Sequence, residues 1–514
     1  MPEYLSPAVY VEEIPSGNKP IQGIGTSTCG FVGHAVKGPV GEPEPISSFA
    51  QYLARFGGYF DNGFLTFAVK SFFDEGGTSC YVVRTCHYTP TGPGGSLQPT
   101  AAPSTTTFGA ASDGTADTLR VDAASPGSWG DELSITIAHP DATTFDITVL
   151  ENGNPVESFS GLSMDNASND YVASRVNGVS ALIVVADLNA AAATDPRPAA
   201  TGAAPTALLN GSDGLANPDG SSSVVAADYL GDEGTGNGLH AFDPTEDVAL
   251  IAIPEAVGRD VHVGGMAYCE NRGDCFYIGF SQERPNTADD VVAYKSAQGI
   301  YSGGNAISST YGALYTPWIE VFDPRTGGRA SIPPCGAVAG RYAAVDAARG
   351  VHKVAAGITD GKIATALGVT TDFAFADQEK LNPKGINVIR RMPGAGTVIW
   401  GARTVSSDPE WRYLNVRRLF LFLRGSIDRG TRWVVFEPND RSLWNSIVGN
   451  VTAFLTLSWR DGALVGATAE QAFYVKCDEE TNPQESIDLG RVITEIGVAP
   501  SKPAEFVVFR ITQM

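Results

Sequence analysis

Two long helical patterns joined by a short apolar stretch dominate the C-terminal part of this 514-residue chain. Tyr413, Val416, Phe420, Leu423 and Ile427 follow one another at spacings of three and four, a single stripe along a helix expected over residues 409–429. Asp408 suits its N-cap, Pro409 its first position and Glu410 the positive end of its dipole. Trp411 and Phe422 fall on the opposite side, so the helix is apolar on more than one face and belongs between two layers. A second helix is expected over 441–458, with a strand at 432–436 between the two.

The chain is too long for one core and predicts several domains. Residues 1–25 read as an extended arm punctuated by Pro2, Pro7, Pro15 and Pro20, with one strand over Val9, Tyr10, Val11, Glu12, Glu13 and Ile14. Residues 26–90 are α/β: a strand at Cys29–Gly33, a helix capped at Ser47–Ser48, a helix over Phe64–Phe73 and a strand at Tyr81–Arg84. Residues 91–224 read as a β-rich inserted domain, with linkers at 89–110 and 190–206 and alternating strands at Leu133–Ile137 and Phe145–Val149. A buried strand at Asp247–Ile253 resumes an α/β pattern through residues 225–380, with helices near 287–298 and 337–348. Residues 381–502 continue with strands at 386–391, 397–402, 472–476 and 491–497. Residues 503–514 close the chain as a strand arm over Phe506, Val507, Val508, Phe509, Arg510 and Ile511. The fold class is therefore mixed α/β and multidomain.

Charge separates these regions. The net charge is −22. Residues 91–330 hold 30 Asp/Glu against 9 Lys/Arg, whereas residues 331–514 hold 19 against 21. An acidic surface of this kind solubilises, and it argues against nucleic-acid binding, which needs a clustered basic footprint. No apolar run reaches the ~18 residues of a membrane helix, so no direct membrane insertion is expected. The Met1–Leu5 start has neither a basic nor an apolar leader region, so no signal peptide is read there. Seven cysteines, an odd number in a long chain, fit a reduced site of synthesis better than a disulfide framework.

Two features bear on partners. Arg412, Arg417, Arg418, Arg424 and Arg429 line the 409–429 helix, and Arg418 and Arg429 are close to three full turns apart. They serve either as intrachain pairs with snorkelling stems or as a basic strip that docks an acidic partner. The terminal strands likewise have two outcomes: pairing within their own fold, or addition to the sheet of a neighbouring copy.

Sites for chemistry are missing. Gly357–Ile363 resembles a phosphate loop but has three residues between its glycines instead of four, and Ile363 stands where magnesium requires Ser/Thr. Gly23-Ile24-Gly25 lacks the third glycine of a dinucleotide loop. Cys80, Cys86 and His87, and Cys269 with Cys275, lack zinc-ligand spacing. Asp232, Glu233 and Asp243 lack calcium-loop spacing. No nucleophile elbow is present, and no catalytic residue, metal or cofactor is assigned.

Eight segments resemble the sheath proteins of contractile phage tails and phage-tail-like injection systems. They are Ser6–Glu13 (with Ala8 where Gly is commoner), Phe31–Gly33 with Gly38–Pro39, Asp247–Pro254, Pro333–Gly340 (Cys335 where Ser is usual), Leu381–Asn387, Trp400–Thr404, Arg429–Asp440 and Lys502–Phe506. The resemblance covers 26–88 and 225–514 well and 91–224 poorly. It implies a sheath fold whose core joins N- and C-terminal parts, with an inserted outer domain and arms that add strands to adjacent subunits. It implies a non-enzymatic helical polymer of hexameric rings around an inner tube protein, bounded by baseplate and terminator proteins. Such a polymer assembles in the bacterial cytoplasm and belongs to a virion tail or a released particle, and it contracts to drive the tube through an envelope. The acidic insertion is then expected to face outward, and the five arginines to include tube contacts. The rival readings are a hydrolase carrying an inserted carbohydrate-binding domain and an exported surface-layer or adhesin protein.

Overall fold

The computed structural model describes residues 20–61, 63–90, 97–111, 116–188, 195–202, 204–216, 222–256, 258–285 and 287–506. The expected strands at Val9–Ile14 and Val507–Ile511 lie outside these residues. Phe506, at the edge of the expected closing strand, is described and belongs to no strand.

The described chain forms two compact units. The larger holds residues 25–348 and 354–417; the smaller holds residues 20–24, 349–353 and 418–506.

The larger unit opens with β1 (Cys29–Gly33), β2 (Glu44–Ile46), α1 (Phe49–Phe56), α2 (Leu65–Asp74) and β3 (Cys80–Arg84). Ser48 caps α1 by accepting from the Gln51 N–H at 3.2 Å. Residues 97–216 then build a separate apolar core from β4 (Thr105–Gly109), β5 (Asp117–Ala123), β6 (Leu133–Ala138), β7 (Phe145–Glu151), β8 (Asn154–Leu162) and β9 (Ile183–Asp187). β9-β5-β4 form one antiparallel sheet; β8-β7-β6 with Thr206–Ala207 form another. Alternate residues of β6 and β7 are buried, as one-sided sheets require.

Where they are described, the expected linkers at 89–110 and 190–206 carry backbone pairing: Ala110 bridges Pro198, and the Ala199 N–H donates to the Gly109 carbonyl. Tyr88–Pro90 pairs with Leu97–Pro99. Ala102 and Ser212 exchange two hydrogen bonds of 2.9 Å, and Thr105 and Leu209 exchange a second pair. Arg84, 1% exposed, donates to the carbonyls of Gly38 and Pro126 and to the Asp213 carboxylate. Lys37 lies 5.6 Å from the Trp129 ring centre. Pro, Gly and Ser suggested flexibility there, but the two passages satisfy each other's backbone groups.

The chain returns with β10 (Leu250–Ala252), α3 (Arg259–Arg272), β11 (Phe276–Phe280), α4 (Ala288–Ser296), β12 (Gly312–Thr316), α5 (Cys335–Arg349), β13 (Ile386–Met392) and β14 (Gly396–Ile399). One eight-stranded sheet results, in the order β2-β3-β1-β10-β11-β12-β13-β14. Its six inner strands are parallel and its edge strands antiparallel. β1, β10, β11 and β12 are buried along their whole length, as expected of a parallel sheet covered on both faces.

α6 (Leu414–Thr431) starts five residues later than Pro409 would place it. Asp408 Oδ1 caps a turn at Glu410, the Thr404 N–H donates to the Arg412 carbonyl, and Tyr413 bridges Arg403, which holds the preceding residues out of the helix. The expected strand at 432–436 is a 3₁₀ turn, Arg432–Val434, followed by Phe436 at φ +72°. β-branched and aromatic residues there satisfied a strand pattern, but among the described residues no strand pairs with them. α7 (Arg441–Arg460), capped by Asp440, and the pair β15 (Phe473–Lys476) and β16 (Glu495–Val498) complete the smaller unit. Leu419, Leu423, Trp444, Ile447, Val451, Phe454 and Leu455 form its core.

Candidate functional site

In the smaller unit, residues 21–24 lie along α6, running opposite to it. Ile24 donates its N–H to Ser426 Oγ at 3.1 Å. A Cβ on Gly425 would stand 2.5 Å from Ile24 Cδ1, and one on Gly430 2.7 Å from Ile21. The two glycines thus make a shallow track in which the start of the described chain is seated. Towards residue 20 that chain heads for the C-terminal end of α6.

β15 and β16 pair in register from Phe473↔Val498 to Lys476↔Glu495. Among the described residues no third strand joins them. A two-stranded sheet is marginal alone, and its outer edges present unpaired donors and acceptors. Tyr474, 58% exposed, stands on it. The same unit exposes Leu489, Phe506, Val435 and Phe436, and Phe436 is fully exposed. Its left-handed backbone is rare for a bulky residue. The turn is held from both sides: Arg432 pairs with Asp428, and Asn439 receives the Trp444 indole N–H and donates to the Arg491 carbonyl.

The five arginines divide. Arg412 and Arg424 are exposed and Arg429 is half-buried. Arg418 is 4% exposed. Arg417 is buried between two rings, 3.4 Å from the centre of Trp411 and 4.4 Å from that of Tyr311, and donates to Thr310 Oγ1 at 2.8 Å. Burial lowers its pKa from the usual guanidinium value. It fastens the first turn of α6 within the larger unit, and its planar fork suits it to that stacked site.

The larger unit has the topology in which α/β proteins bind ligands. The next parallel strand after β1 in sequence is β3, its neighbour on one side, and β10 flanks it on the other, so the C-terminal ends of β1 and β10 form a switch point. That crevice is closed by the chain itself. Glu255, just beyond β10, is buried, and its Oε1 accepts from the N–H groups of Phe64 and Leu65 at 3.1 and 2.8 Å, capping α2. No side chain of the helix's own N-cap residue does so. Burial raises the Glu255 pKa to about 7, against the opposing effect of these backbone donors and those of His34 and Glu255 itself. His34 is held by Tyr229 at 3.0 Å and lowered to about 4, chiefly by burial and then by Arg84. Sequence reasoning passed over Glu255 and Phe436. A lone acid after Ile253-Pro254 has no partner until the topology brings α2 to it, and an aromatic after two valines reads as strand.

The mixed α/β fold with its several sheets matches solved structures of contractile sheath subunits. It matches the sheath complex of an extracellular contractile injection system, PVC, in the contracted state, with a TM-score of 0.59 and 21% identity over 100% of this chain and 99% of the other. The family model described as phage tail sheath protein central domain matches residues 245–405, and that for the phage tail sheath C-terminal domain matches 406–514; together they span more than half of the chain. The chain belongs to the phage tail sheath protein family. The tail sheath protein of Burkholderia phage BcepMu is 25% identical over 530 residues, 98% of this chain and 95% of that protein. That of Vibrio phage KVP40 is 28% identical over 202 residues, 39% of this chain and 29% of that protein, so the chain spans less than a third of this relative's length.

Proposed function

We propose that this chain is a structural, non-enzymatic sheath subunit that polymerises as stacked hexameric rings around an inner tube, and that the polymer shortens to drive the tube through a target envelope. The observation that carries this reading is the open-edged pair β15–β16 in a unit that also exposes Tyr474, Phe436 and Phe506. A sheet of two strands gains most from a strand supplied by another copy. The segments Val9–Ile14 and Phe506–Ile511 are the strands it would receive, and the 21–24 track on α6 sets where the first of them departs.

Arg412, Arg424 and Arg429 are the arginines that would meet the tube, while Arg417 and Arg418 position α6. Baseplate and terminator proteins would bound the polymer, and the acidic insertion would face outward on a phage tail or a phage-tail-like particle. Copies tied by shared strands switch together, because each rearranges only with its neighbours.

Electron microscopy of the purified protein tests this reading. Striated tubes are expected, and they should vanish when residues 1–19 and 507–514 are both deleted. Monodisperse particles with hydrolytic turnover would support an enzyme instead, and flat lattices a surface layer.

A further inference from the structure

We infer that the switch-point crevice of the eight-stranded sheet is a built carboxylate site whose resident ligand is the chain's own Glu255. Three strands of evidence meet there. The N–H groups of Phe64 and Leu65 at the start of the ten-residue α2 point at one oxygen. The other oxygen, Oε2, is buried and lacks a hydrogen-bond partner of proper geometry, although the backbone of His34 lies close enough to favour the charged form. Finally, the wall of the crevice is carved for the side chain: a Cβ on Gly33, at the end of β1, would lie 2.2 Å from Oε2 and 2.9 Å from Cδ. An ordinary carboxylate filling a gap in a core would need none of this.

The occupant is one carboxyl group, and the donors at the helix N-terminus offset part of the penalty that burial places on its charge. In a ligand-binding α/β domain this place admits a diffusing anion. Here the anion is tethered to β10, so the ligand position serves as a lock joining β1, β10 and α2. The site's recognition chemistry survives the change of use. Emptied of its side chain, the crevice takes a small free carboxylate such as formate or acetate.

The test uses the full-length protein. Glu255→Ala should lower the thermal midpoint, and sodium formate should raise it again, increasingly with formate concentration. Sodium chloride at equal ionic strength and formamide should not, and wild type should gain nothing from formate. Separately, Gly33→Ala should be strongly destabilising in wild type and nearly silent in the E255A background, because the atom it meets is gone. Should E255A not fold, Glu255→Asp carries the same cycle, since the shortened side chain retreats from Gly33 and G33A should then cost clearly less than in wild type. Equal responses to formate and chloride, or additive losses in the cycle, overturn the inference.

Discussion

Ile21 rests directly on Gly430: a Cβ at residue 430 would come within 2.7 Å of both branches of the isoleucine. A helical glycine ordinarily costs about 1 kcal/mol against alanine. Here the bulk of a β-branched neighbour reverses the sign. Gly430→Ala should destabilise the smaller unit by about 1–3 kcal/mol, the usual cost of overpacking. Ile21→Gly in the same chain should recover much of it, because the isoleucine Cβ would also lie within 2.9 Å. Hydrogen exchange at residues 20–24 and denaturant midpoints measure both.

Phe436 separates assembly from folding. Its ring is fully exposed and its backbone left-handed. Phe436→Gly should therefore raise stability by about 1 kcal/mol, as expected for relief of a left-handed residue. The same change should reduce polymerisation, scored by sedimentation, if the exposed ring is buried between copies. A destabilised variant that still polymerises normally would refute the assignment.

Stability should depend on pH through groups of opposite sign. Glu255 is raised from 4.5 to about 7, so the folded state holds its proton more tightly. Its contribution is full below pH 4.5 and is lost as pH rises through 7, about 3 kcal/mol in all. His34 and His262, lowered to about 4 and about 3, contribute stability that is lost as pH falls below 6.5. Glu255→Gln removes the first effect and leaves the second. Acidification from pH 7 to 5 should therefore destabilise E255Q more than wild type in urea titrations.

Arg84 joins the core to the inserted region. Truncation to Ala strands two carbonyls and Asp213, a cost of about 2–4 kcal/mol. Limited proteolysis should then cut within 97–216 sooner than in wild type. In assembled particles the same region should be the first cut, if it faces outward.

Charge reversal should sort the arginines on and just before α6. Changing Arg412, Arg424 and Arg429 to Glu should leave the monomer folded yet weaken tube-templated assembly and its salt sensitivity. Arg417→Glu should unfold the start of the helix, because its site between Trp411 and Tyr311 accepts a planar cation.

Strands with period-two or wholly apolar runs were legible from the residues alone: Cys29–Gly33 was found to the residue, and Leu133–Ala138 and Phe145–Glu151 nearly so. Helices with local caps, such as α1 behind Ser48 and α7 behind Asp440, were also readable. What failed depended on distant partners. Pro409 could not reveal that Tyr413 bridges Arg403, nor could Val434-Val435-Phe436 reveal that no strand among the described residues pairs with them. The Pro/Gly/Ser passages looked loose because their hydrogen-bond partners lie some hundred residues away. The Glu255 site was invisible for the same reason: Gly33, Phe64 and Glu255 share nothing until the sheet is wound.

The zipped passages at Ala102–Ser212 and Thr105–Leu209 mean that the β-rich region enters and leaves the body side by side, on one double-stranded stalk. Because its two ends are neighbours, a foreign domain with adjacent termini can be spliced in place of residues 106–208, at the cost of the Arg84–Pro126 and Lys37–Trp129 contacts that the region makes with the body.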